Sequence, residues 1–92
     1  HPAAGLNPVL EEVVAELAAA PQSAAALTLY ALVSTLEFER GGYLFKLAKL
    51  RDLTGAQRQL AYRLIEMMAQ GQNHGADWQA AKARMDGLVR GA

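Results

Sequence analysis

Histidine, serine and paired acids are the residues of this chain that could take part in catalysis or bind a metal. His74 is the only internal histidine, and it lies in a glycine-flanked polar stretch. No second ligand stands at Glu-x-x-His or His-x-x-x-His spacing from it. Ser23 and Ser34 have no histidine within local reach and no Gly-x-Ser-x-Gly turn. The sequence therefore predicts no metal site and no serine nucleophile, and we expect His74 on the surface.

Glu37 and Glu39 are the pair of carboxylates that could share acid–base hydrolysis. At i, i+2 on a helix their side chains point about 200° apart, so they cannot face one substrate. The glycine pair Gly41-Gly42 lacks both the lysine of a P-loop and the third glycine of a dinucleotide-binding turn. We therefore expect no catalytic residue, no cofactor and no enzymatic activity.

We expect all the elements that would position a site to be helices. A β-strand needs apolar and polar residues in alternation, which is nowhere sustained in this chain, and β-branched residues are few. Apolar residues recur instead at i, i+3, i+4 and i+7, with four stripes that predict a compact antiparallel bundle of four to five helices. We expect one all-α domain over residues 1–92, with residues 1–6 loosely ordered. Four helix starts are indicated by capping residues: Asn7 followed by Pro8, then Ser23, then Thr54 with Gln57, and finally Asp77. Pro21 is predicted to end the first helix, and Gly71 is predicted to end the third.

The segment from Ala24 to Leu53 is unusual because it is apolar on two opposite helical faces. Arg40-Gly41-Gly42 is a helix-stop signal within it, so we favour a break and a short helix from about Tyr43 to Leu50. One face carries Leu29, Leu32, Val33, Leu36, Tyr43, Leu47 and Leu50, and the other carries Leu27, Ala31, Ser34, Phe38, Phe45 and Ala48.

Composition indicates that a second molecule covers one of these faces. Of the 92 residues, 52% are hydrophobic, which is high for a chain of this size because a small body has little interior. Cysteine is absent, so disulfides cannot stabilise the chain, and a reducing cytoplasm fits its composition. The uninterrupted apolar run from Ala24 to Leu36 is too short to span a bilayer, and we expect no membrane partner.

The sequence thus favours a non-enzymatic interaction or structural protein, a homodimer or a small adaptor that binds another protein. One apolar face would build the core of the monomer and the other would remain for the partner. The predicted contact residues are Leu27, Tyr30, Ala31, Ser34, Phe38 and Phe45.

Charge is divided along the chain. Up to Glu39 there are five acids and no basic residue, and from Arg40 onward there are nine basic residues and four acids. The two parts therefore carry −5 and +5, which favours docking of one on the other, within one chain or between two. The alternative interpretation is that these are solvated helix faces whose charges happen to separate.

Two other functions stay open at this point. A small apolar ligand could lie in a groove between helices. A small helix-turn-helix regulator is the other alternative, and it would bind nucleic acid through the basic residues Lys46, Lys49, Arg51, Arg58 and Arg63. However, Asp52 stands where the turn of that motif normally has glycine, and Arg58 stands where its second helix needs an aliphatic packing residue. Because the net charge is also zero, we consider nucleic-acid binding the weaker alternative.

Overall fold

The computed structural model describes residues 7–37 and 45–90. All the regular secondary structure in this part of the chain is helical, which confirms the all-α bundle. The predictions for residues 1–6, for Phe38 and for a break at Gly41-Gly42 lie outside the described residues. In chain order the elements are α1 (Pro8–Ala19), α2 (Ala24–Glu37), the 3-10 helix η1 (Leu47–Asp52), α3 (Gly55–Ala69) and α4 (Ala76–Val89).

Side-chain caps fix where the first two helices begin. The Asn7 carboxamide oxygen accepts a 2.9 Å hydrogen bond from the Val9 amide, and the Ser23 hydroxyl accepts one of 3.0 Å from the Ala26 amide. Each cap satisfies an amide that the helix itself cannot pair, and such a cap contributes about 0.5–2 kcal/mol. The predicted starts of α1 and α2 are confirmed.

The predicted bounds of α3 are also confirmed. Thr54 and Gln57 form a capping box, in which the Thr54 hydroxyl accepts from the Gln57 amide at 3.2 Å and the Gln57 side chain accepts from the Thr54 amide at 2.9 Å. The helix ends before Gly71, whose φ of 75° is a conformation that glycine adopts without a steric penalty. The Gly71 amide donates to the Met68 carbonyl at 2.9 Å and so satisfies one of the last carbonyls.

The start of α4 differs from the prediction that Asp77 caps it. The N-cap is Gly75, with φ of 100° and no side-chain hydrogen bond to the helix. Asp77 is the second residue of α4, two positions after the N-cap, and its carboxylate interacts favourably with the positive end of the helix dipole. The residue type was right for a helix start, but its position was wrong by two residues.

One continuous core joins all four α-helices. Trp78 of α4 is its largest fully buried side chain, and the α1 stripe predicted from sequence is buried against it. The buried face of α2 is the one predicted to face the core, as far as the described residues extend. The buried apolar residues are Leu10, Val13, Val14, Leu17, Ala26, Leu29, Leu32, Val33, Leu36, Leu53, Leu60, Ala61, Leu64, Met67, Trp78, Ala81 and Met85.

A short helix was predicted from about Tyr43 to Leu50. The described part of this segment instead has two non-helical residues, Phe45 and Lys46, followed by the 3-10 helix η1 from Leu47. Residues three apart share a face of a 3-10 helix, so Leu47 and Leu50 lie on the same side of η1. Leu50 is partly buried, and Leu53, the extended residue that follows η1, is buried, but Leu47 is 72% exposed. The prediction that Leu47 faces the core is therefore wrong, because this segment reaches the core only towards its C-terminal end.

Candidate functional site

The second face of α2 forms the floor of an open groove of about 430 Å³, which we call the α2–η1 groove. Leu27 lies in this floor and is 42% exposed, although Leu29 on the opposite face is fully buried. Phe45 closes one side and packs partly against the core. The two-faced pattern of the sequence thus corresponds to one buried and one partly uncovered face. The groove is lined by Ala24, Leu27, Thr28, Ala31, Phe45, Lys46, Lys49 and Asp52.

The rim of the α2–η1 groove is mainly basic. Lys46, Lys49 and Asp52 follow one another at three-residue spacing, which places them along one side of η1. All three are exposed. Among the described residues, no acid lies within ion-pair distance of either lysine. The groove therefore combines an apolar floor with two exposed positive charges.

The predicted contact residues fall on two different surfaces of α2. Leu27, Ala31 and Phe45 line the α2–η1 groove. Tyr30 and Ser34 instead line a second cleft, of about 520 Å³, between α2 and α4. Phe38 lies outside the described residues. The structure thus brings three of the six together and separates two from them.

The α2–α4 cleft contains a cluster of polar groups centred on Lys82. The Tyr30 hydroxyl donates a short hydrogen bond to Oδ1 of Asp86. The Lys82 ammonium donates to the same oxygen at 3.0 Å, lies 3.8 Å from Oε1 of Glu37, and sits 4.9 Å from the centre of the Tyr30 ring. The side chains of Lys82 and Glu37 are each only 13% exposed. The cluster therefore joins the two helices through charged hydrogen bonds that are partly shielded from water.

Mutual hydrogen bonding shifts the ionisation of this cluster. The bond to Asp86 raises the pKa of Tyr30, and burial adds to the effect. Burial disfavours the charged forms of Lys82 and Asp86, but their hydrogen bonds and the nearby opposite charges outweigh it. The pKa of Lys82 is consequently raised and that of Asp86 is lowered. Each shift favours the protonation state in which Tyr30 and Lys82 both donate to Asp86 near neutral pH.

Sequence reasoning missed this cluster because its members come from distant parts of the chain. The i, i+4 spacing of Lys82 and Asp86 was one local signal, and the position of Tyr30 off the main stripes was the other. Neither signal shows that Tyr30 meets Asp86, since only the packing of α2 on α4 brings them together.

The basic residues considered for nucleic-acid binding are dispersed. Arg58 donates from Nη1 to the Leu53 carbonyl at 2.8 Å, and Arg63 forms a 3.4 Å ion pair with Glu12. Residues 47–64 form a 3-10 helix followed by α3, so the two successive α-helices of a helix-turn-helix are not found in this segment. The remaining three, which are exposed on or beside η1, are Lys46, Lys49 and Arg51.

The described part of the chain contains no group of three or more His, Cys, Asp or Glu residues that could hold a metal ion. His74 is exposed, as expected. No helix within residues 7–37 and 45–90 has both the length and the apolar character needed to cross a membrane. No protein-family model matches the chain, and no curated protein and no solved structure is significantly similar to it.

Proposed function

We propose that this chain is a non-enzymatic helical interaction domain whose α2–η1 groove binds another polypeptide. The observation that carries the proposal is the exposure of Leu27 at 42% in the floor of a groove, on a helix whose other face is fully covered. Apolar side chains gathered in a concave surface gain free energy when a partner removes them from water. A cytoplasmic location belongs to the same proposal and is supported by the absence of cysteine.

The chemistry of the groove favours binding over catalysis. Its ionisable groups are two lysines and one aspartate, all exposed to water. General acid–base catalysis depends on groups whose pKa is tuned by burial or close neighbours. The groups that are shielded in this way, Tyr30, Lys82 and Asp86, lie in the other cleft and satisfy one another.

The homodimer expected from sequence is one form of this proposal, in which a second copy covers Leu27. The division of charge along the chain supports a homodimer less than the sequence alone suggested, because some of the opposite charges already pair with each other within one subunit. Glu12 pairs with Arg63, and Glu37 lies beside Lys82. The two oppositely charged parts of the chain therefore already contact each other in one subunit.

Site-specific photocrosslinking tests the proposal. Benzoylphenylalanine replaces Ala31, which is exposed in the groove, or Ala18, an exposed alanine of α1 that serves as the matched control. In cells that naturally express the chain, we expect discrete covalent adducts from position 31 that Leu27→Ser abolishes, and none from position 18. Equal adducts at both positions, or adducts at position 31 that Leu27→Ser leaves unchanged, would refute the proposal.

A further inference from the structure

We infer that the occupant of the α2–η1 groove is an amphipathic helix of another protein, with acidic residues beside its apolar stripe. This inference rests on the proposed function and specifies the partner. It is carried by the shape of the groove floor and by the charge of its rim.

The length of the groove floor and the sizes of its side chains suit the docking of a helix. Ala24, Leu27, Thr28 and Ala31 follow i, i+3, i+4, i+7 spacing and so form one stripe along α2. The stripe rises about 10 Å, or about two helical turns. A docked helix presents anchors at the same spacing, and a small residue at each end of the stripe lets its backbone approach closely.

The rim selects for negative charge in that helix. Lys46 and Lys49 lie on the groove side of η1, are exposed, and have no acidic partner within ion-pair distance among the described residues. Asp52 lies one turn further along and offsets only one of the two charges. A partner that carries acids beside its apolar stripe gains attraction at the lysines, and a basic partner is repelled there.

A second copy of this chain fits the groove less well. A two-fold pairing through the groove would place Lys46 and Lys49 of both copies in one interface, where like charges repel. The acidic helix α1 is already engaged in its own subunit, since Glu12 pairs with Arg63 and Glu16 accepts a 2.9 Å hydrogen bond from Gln57. Its apolar stripe is buried as well.

Two synthetic helical peptides test the inference. Both carry the same leucine and alanine stripe at i, i+3, i+4 and i+7, and they differ only in flanking residues, which are glutamates in one and lysines in the other. Fluorescence anisotropy measures the Kd of each for the complete chain at about 50 and about 300 mM salt. We expect the glutamate peptide to bind about tenfold more tightly at low salt, with a smaller difference at high salt.

Substitutions assign the binding to the groove. Leu27→Ser weakens both peptides, and Tyr62→Ser, which removes another exposed aromatic or aliphatic side chain, weakens neither. Lys49→Glu removes the preference for the glutamate peptide, and the matched charge reversal Arg84→Glu on α4 leaves it unchanged.

Each other outcome overturns the inference in a recognisable way. If both peptides bind equally and Leu27→Ser weakens both, the groove binds helices without selecting charge, and the proposed function survives alone. If sedimentation shows a dimer that Leu27→Ser dissociates, the occupant is a second copy. If neither peptide binds, or if Leu27→Ser has no effect on binding, the groove is not a helix-binding site.

Discussion

The side chain of Asn73 is fully buried and donates a 2.7 Å hydrogen bond from Nδ2 to the main-chain carbonyl of Leu36. Leu36 lies in the last described turn of α2. The loop between α3 and α4 is thus hydrogen-bonded to α2 from 37 positions away in the sequence. This bond joins the loop to the helix that carries the groove.

Asn73→Ala should lower the free energy of unfolding by about 1–3 kcal/mol, because it removes a buried hydrogen bond to the Leu36 carbonyl. Urea denaturation followed by circular dichroism measures the change. The exposed neighbour Gln72 provides the control, and Gln72→Ala should change stability by less than about 0.5 kcal/mol. Equal effects of the two substitutions would show that the Asn73 bond does not stabilise the fold.

Tyr30→Phe removes the hydroxyl that donates to Asp86 and should destabilise the chain by about 1 kcal/mol. Tyr62 is 45% exposed, and for Tyr62→Phe we expect almost no change. A double-mutant cycle with Asp86→Ala, which removes the acceptor, isolates the interaction of the two side chains. Additive effects in this cycle would contradict the coupling seen in the structure.

The α2–α4 cluster should give stability a defined pH dependence. The pKa of Asp86 is lowered by folding, so its contribution is present above about pH 4 and is lost as pH falls through the folded pKa. The pKa values of Tyr30 and Lys82 are raised, so their contributions are present below about pH 10 and are lost as pH rises through the folded values.

Unfolding measured across pH checks these signs. The difference in free energy of unfolding between the parent chain and Asp86→Asn should be constant from about pH 5 to 9 and shrink below about pH 4. The corresponding difference for Lys82→Met should shrink above about pH 10. A difference that grows at either extreme would have the opposite sign to the one these pKa shifts require.

Local sequence signals predicted most of the fold because each acts over a few residues. Asn7, Ser23 and Thr54 cap helices as expected, and Gly71 ends α3. A cap needs only its own turn of helix, so its pattern is readable without tertiary structure. The exception, Gly75 in place of Asp77 at the start of α4, arises where a glycine with positive φ sets the helix start.

Features that depend on packing between distant segments were not predictable. Asn73 belongs to a polar loop in the sequence but is buried, because it bonds to Leu36. Leu47 matched the core phase of α2, yet the change to 3-10 geometry leaves it 72% exposed. The five predicted contact residues that the structure describes likewise separate, since α4 packs on the side of α2 that carries Tyr30 and Ser34.

We propose that the Leu27 face of α2 binds a partner and does not stabilise the fold of the chain itself. Two readouts of Leu27→Ser test this together: the free energy of unfolding and the adduct yield from benzoylphenylalanine at position 31. We predict that stability changes by less than about 1 kcal/mol, whereas Leu29→Ala on the buried face costs about 2–5 kcal/mol. The adducts should disappear with Leu27→Ser. A loss of stability close to that of Leu29→Ala would show that Leu27 supports the fold, and adducts that persist would show that Leu27 does not bind the partner.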